Sequence, residues 1–204
     1  VPYLSVAVGA LETNCYLFYD IASRQCFVID PGAEAEKILD LIAKEKLLPQ
    51  AVILTHGHPD HTGAVAVLLA RFHIPLWIHE ADEKAMRSEA GRSLAAMLGV
   101  EPLPPSGCLL VDGETLSLSG LELKVIHSPG HTPGSILLYG SGTLFSGDTL
   151  FREDVGRTDL PGGNEEQLRS SLDKIKGFPP RTVILPGHGQ SSTLEHELKN
   201  NPYL

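Results

Sequence analysis

The chain reads as a mixed α/β protein, equally describable as α+β, in which sheets pack on one another with helices outside. Three observations predict this. Strand-like runs are short, rich in β-branched or aromatic residues, and bounded by Gly, Pro, Asp or Ser. Helical patterns separate some of them. Their order is strand-rich, then mixed, then strand-rich and mixed again, which fits a layered sandwich better than an uninterrupted βαβ winding.

The strand runs are Leu4–Val8, Cys15–Tyr19, Cys26–Asp30, Ala51–Leu54, Leu76–His79, Leu121–Ile126, Ser135–Tyr139, Thr143–Ser146 and Thr182–Leu185. Ile38, Leu41 and Ile42 recur at helical spacing within Glu34–Lys46, after the Pro31-Gly32 turn. Val65, Leu68, Leu69 and Phe72 do the same in a segment opening near Asp60, and Leu168, Leu172 and Ile175 mark a helix after Gly162-Gly163. Glu80–Arg87 and Ser88–Leu98 also carry helical patterns, and Pro102–Gly107 reads as a connecting loop. The halves echo faintly: Val28-Ile29-Asp30, a helix, then Val52-Ile53-Leu54; and Phe145-Ser146-Gly147-Asp148, a helix, then Val183-Ile184-Leu185. No linker is visible, so residues 1–204 are expected to form a single domain.

At 204 residues with 42% hydrophobic content, the chain is long enough for a sizeable core without staples. A net charge of −9 argues against nucleic acid as a partner, because phosphate backbones demand a basic face. No apolar run approaches membrane-spanning length, and Val1-Pro2-Tyr3-Leu4 shows no secretory pattern. The three cysteines, Cys15, Cys26 and Cys108, form no C-x-x-C; buried inert thiols at Cys15 and Cys26, in apolar strand-like runs, and a cytoplasmic location are the expectation. Oligomeric state is left open.

Thr55-His56-Gly57-His58-Pro59-Asp60-His61 carries the chemistry. Four metal-type groups within six residues have little reason to exist except to hold a cation. Residues two apart in an extended loop share a face, so His56 and His58 can grip one ion while Asp60 and His61 serve another. Three further segments end a strand in a Gly-containing turn with a ligand-type side chain: Gly130-His131, Gly147-Asp148 and Gly187-His188. Seven such groups are too many for one catalytic ion, which takes about three protein ligands, and fit two.

This pattern resembles the metallo-β-lactamase fold superfamily, whose signature is T-H-x-H-x-D-H followed by later His, Asp and His. The resemblance implies a four-layer αββα sandwich with two divalent metal ions at one edge, zinc by preference, with iron or manganese as options. By that resemblance His56, His58 and His131 would hold one ion, Asp60, His61 and His188 the other, and Asp148 would bridge them with a hydroxide. The stretches Ser146–Phe151 and Gly156–Gly163 are most similar to the short glyoxalase II-like (hydroxyacylglutathione hydrolase-like) branch.

The expected reaction is hydrolysis of a small-molecule thioester or ester, S-lactoylglutathione being the type substrate, with Asp60 orienting the attacking hydroxide as its catalytic role. A thiolate, with a conjugate-acid pKa of about 8.5, leaves with little need of protonation, and the motifs contain no separate general acid. The chain departs from longer glyoxalase II proteins, which carry a C-terminal helical domain: Gln190 and Ser191 stand where a tyrosine is common. Arg157 is the candidate substrate-binding residue, with pairing to Asp159 or Asp154 the competing role; Arg152 is a weaker candidate. An alternative is a persulfide dioxygenase with one iron on His56, His131 and Asp148, although Val155 and Leu160 replace that family's Cys and Phe. Lactonase and β-lactamase chemistry, and a non-catalytic metal-binding module, are further alternatives on the same fold. His73, His79 and His196 read as surface or packing residues, Trp77 as core, and His127 as either a support for the ligands or a strand end.

Overall fold

In the computed structural model, which describes residues 3–204, two six-stranded sheets lie between two layers of helices. Val1 and Pro2 of the N-terminal reading lie outside the described residues. The first sheet holds β1 (Tyr3–Val8), β2 (Thr13–Tyr19), β3 (Gln25–Ile29), β4 (Leu48–Ile53), β5 (Leu76–His79) and β6 (Cys108–Leu110), in chain order. Its first three strands are antiparallel and the rest join in parallel. Helices α1 (Ala35–Lys44), α2 (Val65–Phe72), α3 (Glu80–Met86) and α4 (Glu89–Met97) fall between its strands in sequence. The second sheet is built from β7 (Thr115–Leu118), β8 (Leu121–His127), β9 (Ile136–Gly140), β10 (Thr143–Gly147), β13 (Val183–Pro186) and β14 (Ser192–Thr193), in the order β14-β13-β10-β9-β8-β7. Strands β11 (Leu150–Phe151) and β12 (Asp154–Val155) form a small ribbon, and α5 (Glu165–Ile175) and α6 (Leu194–Asn200) complete the chain.

The layers follow from side-chain alternation. On β2, Tyr16 and Phe18 point into a core shared with Leu123, Val125, Leu138 and Phe145 of the second sheet. Cys15 and Leu17, between them, join Ile38 and Ile42 of α1 and Val65 and Leu68 of α2 in a separate outer core. A third core seats Leu168, Leu172 and Ile175 of α5 on Leu137, Leu144 and Ile184. Both faces of each sheet are therefore covered, and strands such as β2 are buried along nearly their whole length. Burial pushes both core thiols up, Cys26 to about 12, so they act as small apolar groups.

The faint sequence echo has a structural counterpart. Strands β3 and β4 are parallel neighbours with α1 between them, and β10 and β13 are parallel neighbours with α5 between them. The helix read as opening near Asp60 is corrected: Pro59–His61 forms a single 3-10 turn and α2 begins at Val65. Gly63 stops continuation, because its amide bonds the Gly32 carbonyl at 2.8 Å and a Cβ there would lie 2.4 Å from that oxygen. Strands β6, β7, β11, β12 and β14 and helix α6 were not read from the sequence; all but α6 are two to four residues long. No helix of the described residues is long and apolar enough to cross a membrane.

Candidate metal centre

Each candidate ligand sits just beyond the C-terminal end of a strand. His56 follows β4, His131 follows β8, Asp148 follows β10 and His188 follows β13. Strands β8, β10 and β13 run the same way in the second sheet, so these ends gather at one edge. Cross-sheet bonds close the seam there. Ile136 donates to the Thr55 carbonyl at 2.9 Å, the Asn14 amide donates to Gly187 at 2.7 Å, and the Tyr16 hydroxyl donates to Pro186 at 2.7 Å. Gly187 is required by closeness: a Cβ there would stand 2.1 Å from Asp148 Oδ1 and 2.7 Å from the His61 ring.

All seven residues come together. Their donor atoms form three groups, each within 4.8 Å: His56, His58 and His131; His56, His61 and Asp148; and Asp60, His61 and His188. His58 Nδ1 lies 2.8 Å from His131 Nε2, and His61 Nε2 lies 3.2 Å from His188 Nε2. Asp60 Oδ2 is 3.2 Å from His188 Nε2. Asp148 reaches both sides, with Oδ2 at 3.5 Å from both His131 Nε2 and His188 Nε2, and Oδ1 at 3.3 Å from His61 Nε2.

The donor set fits metal on two observations. His56 Nε2 and Asp148 Oδ1 are buried with no hydrogen-bond partner among the described residues, which is costly unless a cation completes them. The outward nitrogens of His131 and His188 are meanwhile hydrogen-bonded, and that of His61 faces a carboxylate without a hydrogen bond. His131 Nδ1 donates to the Arg157 carbonyl at 2.7 Å, His188 Nδ1 donates to Leu11 at 2.9 Å, and His61 Nδ1 lies 3.2 Å from Asp30 Oδ2. Such partners fix the ring and direct the other nitrogen inward.

Two acids support the ligands and were missed in the sequence. Asp30 accepts from the Thr55 amide at 2.7 Å and its hydroxyl at 2.6 Å while facing His61. Asp82, on α3, accepts from Gly57 at 2.7 Å, Thr132 Oγ1 at 2.8 Å and Gly134 at 2.6 Å. It thereby ties the His56–His58 loop to the His131 loop. Burial raises its carboxyl despite those bonds. Asp30 has the same strand-end position as Asp148 and was findable by that signal; Asp82 lies within an acidic helix and had none.

Charge is distributed unevenly. Burial holds the His56 imidazole well below its ordinary value and, with His131 beside it, brings His58 down to about 4. Burial also presses on His61, but the Asp148 and Asp30 carboxylates outweigh it and hold that ring well above its ordinary value. Against the same burial, bonds to Asp148 and Asp60 bring His188 up to about 10. Burial would raise Asp148, yet His61 and His188 hold it well below the carboxylate range.

A cleft of about 580 Å³ opens onto His58, Asp60, His131, Asp148 and His188. Its remaining wall is apolar apart from Arg157. The Arg157 guanidinium is held by Asp159 through bonds of 2.6 and 2.7 Å, so pairing with Asp159 is the role visible here. Arg152 bonds Gln190 at 3.3 Å. His127 bonds the Pro133 carbonyl and stacks on His79, touching no ligand; His196 pairs with Glu153 at 2.7 Å; and Trp77 is half-buried against Phe27.

Known proteins resemble this chain over most of its length. Residues 8–188 match the metallo-beta-lactamase superfamily. The hydroxyacylglutathione hydrolase GloC of Haemophilus influenzae is 34% identical over 206 residues, covering 98% of this chain and 96% of that protein. The crystal structure of BLEG-1 B3 metallo-beta-lactamase superposes with a TM-score of 0.93 at 35% identity, covering 100% of this chain and 99% of the other. That of TTHA1623 in a di-iron-bound form gives 0.86 at 39% identity, covering 98% and 100%. With the αββα layers, the ligand motif and a match across most of its length all in agreement, this chain belongs to the metallo-beta-lactamase superfamily.

Proposed function

We propose that the chain is a two-metal hydrolase of thioesters, of which S-lactoylglutathione is the type substrate. The observation that carries this reading is the position of Asp148, within 3.5 Å of His131 on one side and of His61 and His188 on the other. His56, His58 and His131 would hold one cation and Asp60, His61 and His188 the other, with the Asp148 carboxylate available to both. Zinc suits this set of imidazole and carboxylate ligands, and iron is the alternative supported by the di-iron form of TTHA1623. When bound, two such ions lower the pKa of a water toward about 7 and take up negative charge developing on an acyl oxygen.

The protein's own groups do the rest. The Asp60 carboxylate, 18% exposed against 9% for Asp148, is the acid on the open side and orients the attacking water. The apolar cleft wall excludes bulk water and strengthens each charge interaction. Apart from the ligands, Arg157 is the titratable group lining that cleft, so no separate proton donor stands ready for a leaving amine. A thiolate needs none, which favours thioesters. Arg157 contacts an anionic group on the thiol portion by exchanging Asp159 for it. The single-iron dioxygenase pattern leaves out His58, His61 and His188, yet each of the three donor groups contains at least one of them.

The test begins with metal analysis of protein purified without added metal. Thiol release is then followed over a panel of thioesters, with a β-lactam and oxygen uptake on glutathione persulfide as parallel arms. Two metals per chain and thioester cleavage are expected. Fully loaded protein that cleaves no thioester overturns the proposal.

A further inference from the structure

Helix α4 is amphipathic yet has no buried residue. It is capped as a stable helix, with Ser88 Oγ accepting from Gly91 at 3.0 Å. Its apolar side lines two neighbouring spaces, with Gly91 close against the Ala85 and Met86 backbone of α3. Leu94 and Leu98, one turn apart, line the metal cleft. Gly91 and Ala95, also one turn apart, line a separate cavity of about 490 Å³ whose walls include Met86, Val100 and Leu103.

The three spaces adjoin one another around the ligand loop through shared walls. His58, Pro59 and Leu94 are common to the metal cleft and a smaller cavity of about 190 Å³. Gly57, Met86 and Gly91 are common to that smaller cavity and the 490 Å³ one. Beside the donor atoms the cleft wall is largely apolar, and past the shared residues Pro59, Gly91 and Leu94 lies a volume within the range of about 300–1,000 Å³ typical of small-molecule sites. The polar side chains of the wall do not change its character. Arg87 spends its guanidinium on Glu83 at 2.8 Å and on the Leu103 and Pro104 carbonyls, Arg92 donates to the Arg87 carbonyl, and Glu101 is exposed. At the edge of the metal cleft Leu11 and Leu98 are 57% and 50% exposed, an apolar rim that a polar acyl group would not use.

We infer that the cavity beneath α4 is an acyl-chain subsite, so that thioesters with an unsubstituted aliphatic acyl chain several carbons long are preferred over short hydroxyacyl ones. The inference rests on the thioesterase reading: because the reacting carbonyl must sit at the shared donors, the acyl group is the part of the substrate that continues along these walls.

The test holds the thiol constant. N-acetylcysteamine thioesters of lactate and of two-, four-, six- and eight-carbon acids are compared on the metal-loaded protein. Binding of the matching non-hydrolysable thioethers to metal-free protein is measured by calorimetry. Both kcat/KM and affinity should rise by about fourfold per methylene until the cavity is filled. Ala95→Phe, which fills the cavity, should flatten both series, and Leu103→Ala should move the optimum to a longer chain. A lactoyl thioester cleaved as well as its hexanoyl counterpart, with flat thioether affinities, overturns the subsite and leaves the thioesterase reading standing. Cleavage of no member overturns the thioesterase reading, and with it the assignment of the cavity to an acyl chain.

Discussion

The two donor groups that meet at Asp148 are built differently. His56 and His131 are buried and His58 half-buried, all three are imidazoles, and their loops are tied together by Asp82. Asp60, His61 and His188 are more open, include a carboxylate, and lean on Asp30 and the Leu11 carbonyl. In the first group burial penalises the charged forms of His56 and His58 and keeps those two rings neutral. The second keeps its rings protonated because carboxylates face them. A cation at the first group therefore meets ready lone pairs in a rigid frame, whereas one at the second must displace protons from a looser one. The centre is thus expected to fill in sequence, the buried group before the open one.

The largest effect that can break this picture is loss of the shared acid. Asp148→Ala should lower turnover by more than about 100-fold, beyond the 10–100-fold typical of changes to supporting partners, and reduce bound metal below two per chain. His58→Ala should have the same consequence through the first group alone. Circular dichroism should report an intact fold for both, since neither side chain belongs to the three cores. Either variant retaining full turnover would contradict the ligand assignment. Next in size, Asp82→Ala should weaken metal at the first group by about 10–100-fold, because the Gly57 and Gly134 amides lose the acceptor that positions both loops. Competition with a chelator should show one weakened and one unchanged equivalent. Equal weakening of both would mean that the two groups are mechanically one.

How much of this could be read beforehand depends on locality. The His56–His61 run declares itself because its groups are contiguous, and His131, Asp148 and His188 share a strand-then-glycine grammar that sequence displays directly. The elements of the sandwich were legible for the same reason: the apolar run of β2 and the periodicity of α5 are local. The Asp82 strut depends on partners 25, 50 and 52 residues away, and nothing in the acidic α3 segment singles it out. The cavity under α4 is equally silent, because Gly91 and Ala95 look like ordinary helix residues until the facing wall is known. Strands β11, β12 and β14, two residues each, are too short for any periodicity to register.

The contrast in protonation gives a smaller effect that sharpens the comparison. The imidazoles of the second group hold protons up to high pH in the metal-free protein, His188 to about 10, and each bound cation must expel them. Its metal affinity should climb as pH rises from 6 to 9, with protons released on binding. His58, with its value near 4, is already free of its proton across that range, and His56 lies well below its ordinary value, so the first group should respond far less. Isothermal titrations in buffers of different ionisation enthalpy measure the released protons. Identical proton release for the first and second equivalents would show that the two sites do not differ in this way.

The smallest expected effect lies outside the metal centre. Arg157 is exposed and neutralised by Asp159, so its guanidinium gains a substrate anion only by losing an existing partner. Exposed pairs of this kind contribute about 0–1 kcal/mol, and exchanging one for another contributes less. Arg157→Ala should therefore raise KM for S-lactoylglutathione by no more than about fivefold with kcat nearly unchanged, since the carbonyl that bonds His131 belongs to the backbone and survives the substitution. Asp159→Ala should do the reverse, freeing the cation and lowering KM for anionic thioesters while leaving neutral N-acetylcysteamine thioesters unaffected. A large fall in kcat for Arg157→Ala would show that the loop itself, through His131, is coupled to the buried donor group.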